Sequence, residues 1–311
     1  MKISTFPQWR TQGGVALLVA LLVVALATVL IAGLLDRGEL AIARTRNGLR
    51  SAQAEAYVGG LEAYAARVLE QDLNNDRVDT AGDMWAVPLP PTPVPGGQIS
   101  ATMRDLDGRF NLNNLSPDNP LQSQWHLAFL RLLTALKLDP NLAPTIEDWM
   151  SHDASSRGDG YYLAQPVPYR SAHNIFYHVS ELRLVKGVSG EVYAQLAPHL
   201  SALPVGTTIN VNTATVPVLM TLRDDVTQQM AQALWQQGQA NFKSLQDLSN
   251  VIPNLAPTCQ QCYGVASHFF LARGDIALDG LPFVFYSMLD RIDSGPDAGV
   301  HVLQRSRGED E

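Results

Sequence analysis

Residues 15–35 form one unbroken apolar run, VALLVALLVVALATVLIAGLL, in which Thr28 is the only polar side chain and no charge occurs. Wound as a helix at about 1.5 Å per residue, a run of this length spans roughly the 30 Å hydrocarbon core of a bilayer. Lys2 and Arg10 precede it with no acidic residue, and Asp36-Arg37 follows it. The distribution of positive charge predicts a cytoplasmic N-terminus, one crossing, and everything beyond residue 35 on the far side of the membrane.

A secretory signal ends in small residues after its apolar core. Here the small pair, Gly13-Gly14, stands before it. Cleavage after Gly14 would remove residues 1–14 and leave a mature chain beginning at Val15. This arrangement resembles the leader of type IV prepilins and pseudopilins, which implies a prepilin peptidase that cuts and methylates. The resemblance also implies a glutamate at the fifth mature position, where it neutralises the N-terminal ammonium of the subunit ahead. That position is Val19. A buried unpaired charge is costly in an apolar bundle, so a subunit without the carboxylate suits a fibre position with nothing ahead of it.

No proline occurs between Pro7 and Pro88, and Leu40, Ala43, Leu49, Ala52, Ala56, Leu61, Tyr64 and Val68 recur at helical spacing. A single helix from Val15 to about Leu69 is therefore expected. Residues 15–35 would be its membrane half and 36–71 its far-side half, packed on a globular domain. A hydrophobic content of 46% with 17% charged residues makes that remainder globular rather than disordered. The formal net charge of −8 argues against a sequence-independent nucleic-acid binder.

Asp72, Asn74, Asp76, Thr80 and Asp83 fall at positions 1, 3, 5, 9 and 12 of an EF-hand-type loop. Arg77 stands where the turn wants glycine, and Asp83 reaches less far than the usual glutamate. Calcium and a plain acidic surface loop are both compatible with this pattern. The Pro-rich run 88–97 reads as an extended connector. Strands are expected at 98–105 and, after an Asp107-Gly108 hairpin turn, from Arg109. They return only at 267–274, 283–291 and 300–305. Between them the pattern is helical: 125–138, 143–150, 180–186, 191–200, 216–222, 227–236 and 244–251. The expected fold is α+β: a pilin-like long N-terminal helix packed on a small antiparallel sheet (72–115 and 256–311), with a large inserted all-helical domain at 116–255.

Cys259 and Cys262 are the only cysteines. Beyond the membrane a short disulfide between them is expected. A redox C-x-x-C would need a strand-to-helix context, whereas Pro257 and Tyr263-Gly264 read as loop. Zinc would need two further ligands, of which His268 is the near candidate.

The residues 104–115 (RDLDGRFNLNNL), 147–149 (EDW), 168–172 (PYRSA), 180–187 (SELRLVKG) and 209–214 (INVNTA) together resemble the signature of the minor pseudopilin K family of type II secretion systems, also called general secretion pathway protein K. The resemblance implies a pseudopilus-tip subunit in complex with minor pseudopilins I and J, together with H. It implies an inner-membrane anchor, a periplasmic head, and an inner-membrane assembly platform. For the inserted domain three partners stay open: secreted substrates, the outer-membrane secretin, or only the other pseudopilins. Calcium binding also follows, with Asp148, Asp153 and Asp159 as the matching acids. The loop at 150–160 carries fewer carboxylates than the family pattern.

Residues 209–248 are also similar to a helix-hairpin-helix module of DNA-uptake proteins, which would make the chain a membrane-tethered DNA binder. That module presents backbone N–H groups of a glycine-containing hairpin to phosphate. The matching positions are Arg223-Asp224-Asp225-Val226, with no glycine and two carboxylates. No nucleic acid is expected as a partner. No H-E-x-x-H, G-x-S-x-G or P-loop occurs, and no catalysis is expected.

Overall fold

The computed structural model describes residues 13–152 and 159–308. The leader residues 1–12 and Asp153 lie outside them. The chain divides into two units, 1–56 and 57–311.

The described part of the first unit is wholly helical. Helix α1 (Gly13–Asn75) begins there and continues into the second unit, uninterrupted because no proline removes an N–H from its ladder. Gly14 and Val15 lie in its first turn. The apolar side chains of 15–35 stand bare, Leu22 at 70% and Leu18 at 68% exposed. Burial of such surface is worth about 25 cal/mol per Å², so this segment calls for a non-aqueous surround. Among the described residues it is a helix long and apolar enough to cross a membrane.

In the second unit, α1 from Tyr57 onward lies on an antiparallel sheet. Ala65, Val68 and Leu69 share a core with Trp85, Phe270 and Leu289. Glu62 accepts from the Ser287 hydroxyl at 2.6 Å and from Arg305 Nε at 2.8 Å, fixing the helix to the same face. A Cβ at Gly274 would come within 2.9 Å of Leu61 Cδ1, so helix and strand approach where the side chain is missing.

Among the described residues, nine strands follow in chain order: β1 (Leu89–Val94), β2 (Gly97–Asp105), β3 (Phe110–Asn111), β4 (Leu200–Ser201), β5 (Ile209–Asn210), β6 (Tyr263–Gly264), β7 (Phe269–Leu278), β8 (Leu281–Ile292) and β9 (Gly299–Arg307). The main sheet has the order β1-β2-β7-β8-β9 and is antiparallel throughout. The Pro-rich run is therefore not a connector. Proline lacks the N–H of a two-sided ladder, and β1, with three prolines, sits at an edge where that lack is tolerated. Nor does Asp107-Gly108 turn a hairpin. Phe110–Asn111 pairs in parallel with Leu200–Ser201, far along the chain, and β2 pairs instead with β1 and β7.

The helical region leaves the sheet after β2 and re-enters at β7, where Asp105 lies opposite Phe270. Exit and entry are neighbours, which is the geometry an insertion requires. Its helices are α2 (Gln122–Ala135), α3 (Leu142–Met150), α4 (Asp159–Leu163), α5 (Gly190–Leu196), α6 (Val216–Leu219), α7 (Gln228–Trp235) and α8 (Leu248–Val251). Their core centres on Trp125, Phe129 and Leu132, with the Trp125 ring edge-on to Phe110 at 5.6 Å. This core also takes in Leu112, Leu115, Cys262 and Tyr263. The inserted body thus reaches beyond 116–255 on both sides, because the 3-10 turns at 112–115 and 260–262 and strand β6 supply part of its apolar filling.

Candidate functional site

The junction between sheet and insertion is a buried polar cluster built on Asp105, Asp107 and Asp79. Asp107 Oδ2 accepts from the backbone N–H groups of His268 and Phe269 at 2.6 and 2.8 Å. Asp105 Oδ2 accepts from Ser267 Oγ at 2.7 Å and from the Thr213 hydroxyl. Asn210 Nδ2 donates to Ser267 Oγ at 2.7 Å and to the Asp79 carbonyl at 3.0 Å. The two motifs at 104–115 and 209–214 therefore meet here. Gly108 lets them close, since a Cβ there would lie 2.6 Å from the Thr213 carbonyl oxygen.

One guanidinium serves this acidic cluster. Arg291 donates through Nη2 to Asp79 Oδ2 at 2.6 Å and through Nη1 to Asp72 Oδ2 at 3.2 Å. Burial, and then the charge of Asp105, hold the Asp107 carboxyl well above its ordinary range. Burial likewise raises Asp105. Burial, and then the charges of Asp79 and Asp83, push Asp72 up to about 7.

The calcium-type loop takes a different form from the one its spacing predicts. Asp72 is still within α1, whose helical backbone keeps 72–75 from wrapping an ion. The carboxylates that converge are Asp72, Asp79 and Asp83, with oxygens within 4.8 Å of one another. Asp83 accepts from the Thr80 N–H and hydroxyl at 2.6 and 3.0 Å. Asp76 is not one of these three carboxylates and pairs with Lys243 at 3.3 Å. Arg291 donates to two of these three carboxylates, Asp72 and Asp79. Asp79 and Arg291 escaped the sequence reading because 212 residues separate them and no local pattern links them.

The other acids are dispersed. Asp148 lines a surface depression beside Glu147 and Gln122. Asp159 accepts from Ser171 Oγ at 2.6 Å and lies 3.4 Å from His173. Neither belongs to a three-residue group of metal-ligand type among the described residues. Cys259 and Cys262 are joined in a disulfide within a short 3-10 turn.

The asparagines of the 104–115 motif are buried loop clamps. Asn111 Oδ1 accepts from Leu203 N at 3.0 Å, while its Nδ2 reaches the Pro204 carbonyl at 2.8 Å. Asn113 exchanges hydrogen bonds with both backbone groups of Phe176, at 2.7 and 2.9 Å. Asn114 accepts from Gly206 N at 2.8 Å. At the position of the hairpin-type loop, Arg223 pairs with Asp225 and Arg131 with Asp224. The two carboxylates thus hold protein arginines.

A membrane-length helix running onto an antiparallel sheet, with a helical body between two adjacent strands, defines a pilin-like fold with an enlarged head. The sequence family described as type II secretion system (T2SS), protein K matches residues 108–205. The chain is 34% identical to type II secretion system protein K of Pseudomonas aeruginosa, over 96% of this chain and 94% of that one. It is 33% identical to the protein of the same name from Pectobacterium carotovorum, over 96% and 97%. The chain belongs to the type II secretion system protein K family. A solved relative superposes with a TM-score of 0.72 at 27% identity, covering 86% of this chain and 99% of that one. It comes from the GspK-GspI-GspJ complex of the enterotoxigenic Escherichia coli Type 2 Secretion System.

Proposed function

We propose that the chain is a minor pseudopilin that caps the tip of a periplasmic pseudopilus and helps to start its assembly. Folded proteins would then be exported across the outer membrane. The carrying observation is the likeness to a chain solved in complex with GspI and GspJ. Val19, in place of a fifth-position carboxylate, supports a place with no subunit ahead. Bulk supports it too, since a head carrying the helical insertion would collide with neighbours inside a helical fibre and has room at its end. In this reading a prepilin peptidase cuts between Gly14 and Val15. Residues 15–35 hold the mature chain in the inner membrane, with the head in the periplasm, until the assembly platform draws it out.

Residues 45–311 mixed with the soluble domains of minor pseudopilins I and J test the reading by light scattering. A discrete complex with one copy of this chain supports capping. Absence of association at tens of micromolar, with calcium present, overturns it.

Calcium enters this reading through Asp148 and Asp159, which flank the segment containing Asp153. The Ser171 hydroxyl beside Asp159 holds its carboxyl below the ordinary range, so it is an anionic donor at neutral pH. Calorimetric titration of calcium checks the assignment with Asp148→Asn and Asp159→Asn. Heat lost in both variants supports these ligands, and heat unchanged in both rejects them.

A further inference from the structure

The face of the sheet turned away from α1 carries an open groove of about 440 Å³. Successive strand residues point to opposite faces. Phe270 and Leu289 therefore meet α1, whereas Leu271 and Met288 face the groove. Its far wall is built by α5 and by the turn at His178-Val179. The volume falls in the range of roughly 300–1,000 Å³ typical of ligand sites.

Two features of the lining bear on its occupant. The first is charge. Arg104, Arg109, Arg183 and His178 line the groove, and among the described residues no carboxylate does, although the chain as a whole carries a formal charge of −8. The Arg183 guanidinium lies over the Tyr193 ring, 4.2 Å from its centroid, and is therefore held at the rim rather than swinging in solvent. The second is an orphan. Ser201, on β4, lines the groove at 3% exposure, and its buried Oγ has no hydrogen-bond partner. A buried hydroxyl without a partner is unfavourable, and a carbonyl or N–H that reached it would relieve that cost.

We infer that this groove binds an extended acidic segment of a partner protein, in which Asp or Glu stands beside an apolar side chain. Clustered arginines recognise carboxylates through charge-assisted, often bidentate hydrogen bonds. Leu106, Leu271, Met288 and Pro198 offer the apolar neighbour a place that a nucleotide or free phosphate would leave unused. The inference does not depend on the tip reading. Its peptide readout is separate from the three-pseudopilin assembly test and can fail while that assembly forms.

The test uses the full chain in detergent micelles, immobilised and panned against a phage-displayed random dodecapeptide library. Enriched peptides are then synthesised and titrated by fluorescence anisotropy. The expected result is enrichment of sequences with Asp or Glu next to an aromatic or aliphatic residue. Arg183→Glu and Gln304→Glu, both at exposed lining positions, are expected to weaken binding by about tenfold or more, and Arg183→Lys by less. Ser201→Ala should weaken it several-fold. Circular dichroism of each variant separates these effects from misfolding. No enrichment, enrichment of peptides without acids, or binding indifferent to both glutamate variants would overturn the inference. So would displacement of the peptide by equimolar single-stranded oligonucleotide, which would make nucleic acid the occupant.

Discussion

Arg291 and Asp79 form an ion pair of 2.6 Å in which the guanidinium side chain is 2% and the carboxylate side chain 1% exposed. Such a pair resists removal of one member more than removal of both, because a lone buried charge is left behind. Arg291→Met is expected to cost about 3–5 kcal/mol, read as a fall in the thermal midpoint of the chain in detergent. The double variant with Asp79→Asn should recover part of that loss.

Asp107 makes stability depend on pH. Its folded carboxyl titrates well above the ordinary 3.8, so the folded state binds more protons than the unfolded one over the interval between. Its contribution is full below pH 3.8 and is lost as pH rises through the folded value. Asp107→Asn keeps an oxygen that can accept from His268 and Phe269. Thermal midpoints measured from acidic to neutral pH should therefore fall less steeply in the variant. An unchanged slope would reject the assignment.

Gly108→Ala would place a methyl carbon 2.6 Å from the Thr213 backbone oxygen and equally near its hydroxyl. A backbone oxygen cannot rotate away, so β5 and the end of β2 must separate. A loss of about 1–3 kcal/mol is expected, visible in the same melts.

The Cys259–Cys262 bridge closes a very small ring, with a sequence separation of 3. Loop-closure entropy grows with ring length, and at this size it gives only about 2 kcal/mol. Replacing both cysteines by alanine should leave a folded chain with a slightly lowered midpoint. Reductant should then no longer shift the melt.

The sequence disclosed what is written locally. The long helix follows from an uninterrupted run without proline, and β7 to β9 follow from apolar alternation. The helical segments fall near their expected positions for the same reason. Two kinds of feature were illegible. Leu89–Val94 looks like a connector because proline content reports donor loss, not the edge position that makes the loss harmless. The Asp79–Arg291 pair depends on sheet closure across 212 residues, which no spacing encodes. The acids at 72, 76 and 83 were visible as a set. Their division between Arg291, Lys243 and Thr80 was not, because two of those three partners come from distant parts of the chain.

The prolines of β1 also give the sheet a direction. Pro90, Pro91 and Pro93 leave that margin short of donors, so another strand has little to grip there. The opposite margin, β9, contains no proline and shows Val302 and Leu303 to solvent at 44% and 47%. The sheet is bound off like a selvedge on one side and left open on the other. A strand added by a neighbour would find the fuller set of donors at β9, which gives this head a preferred side for building.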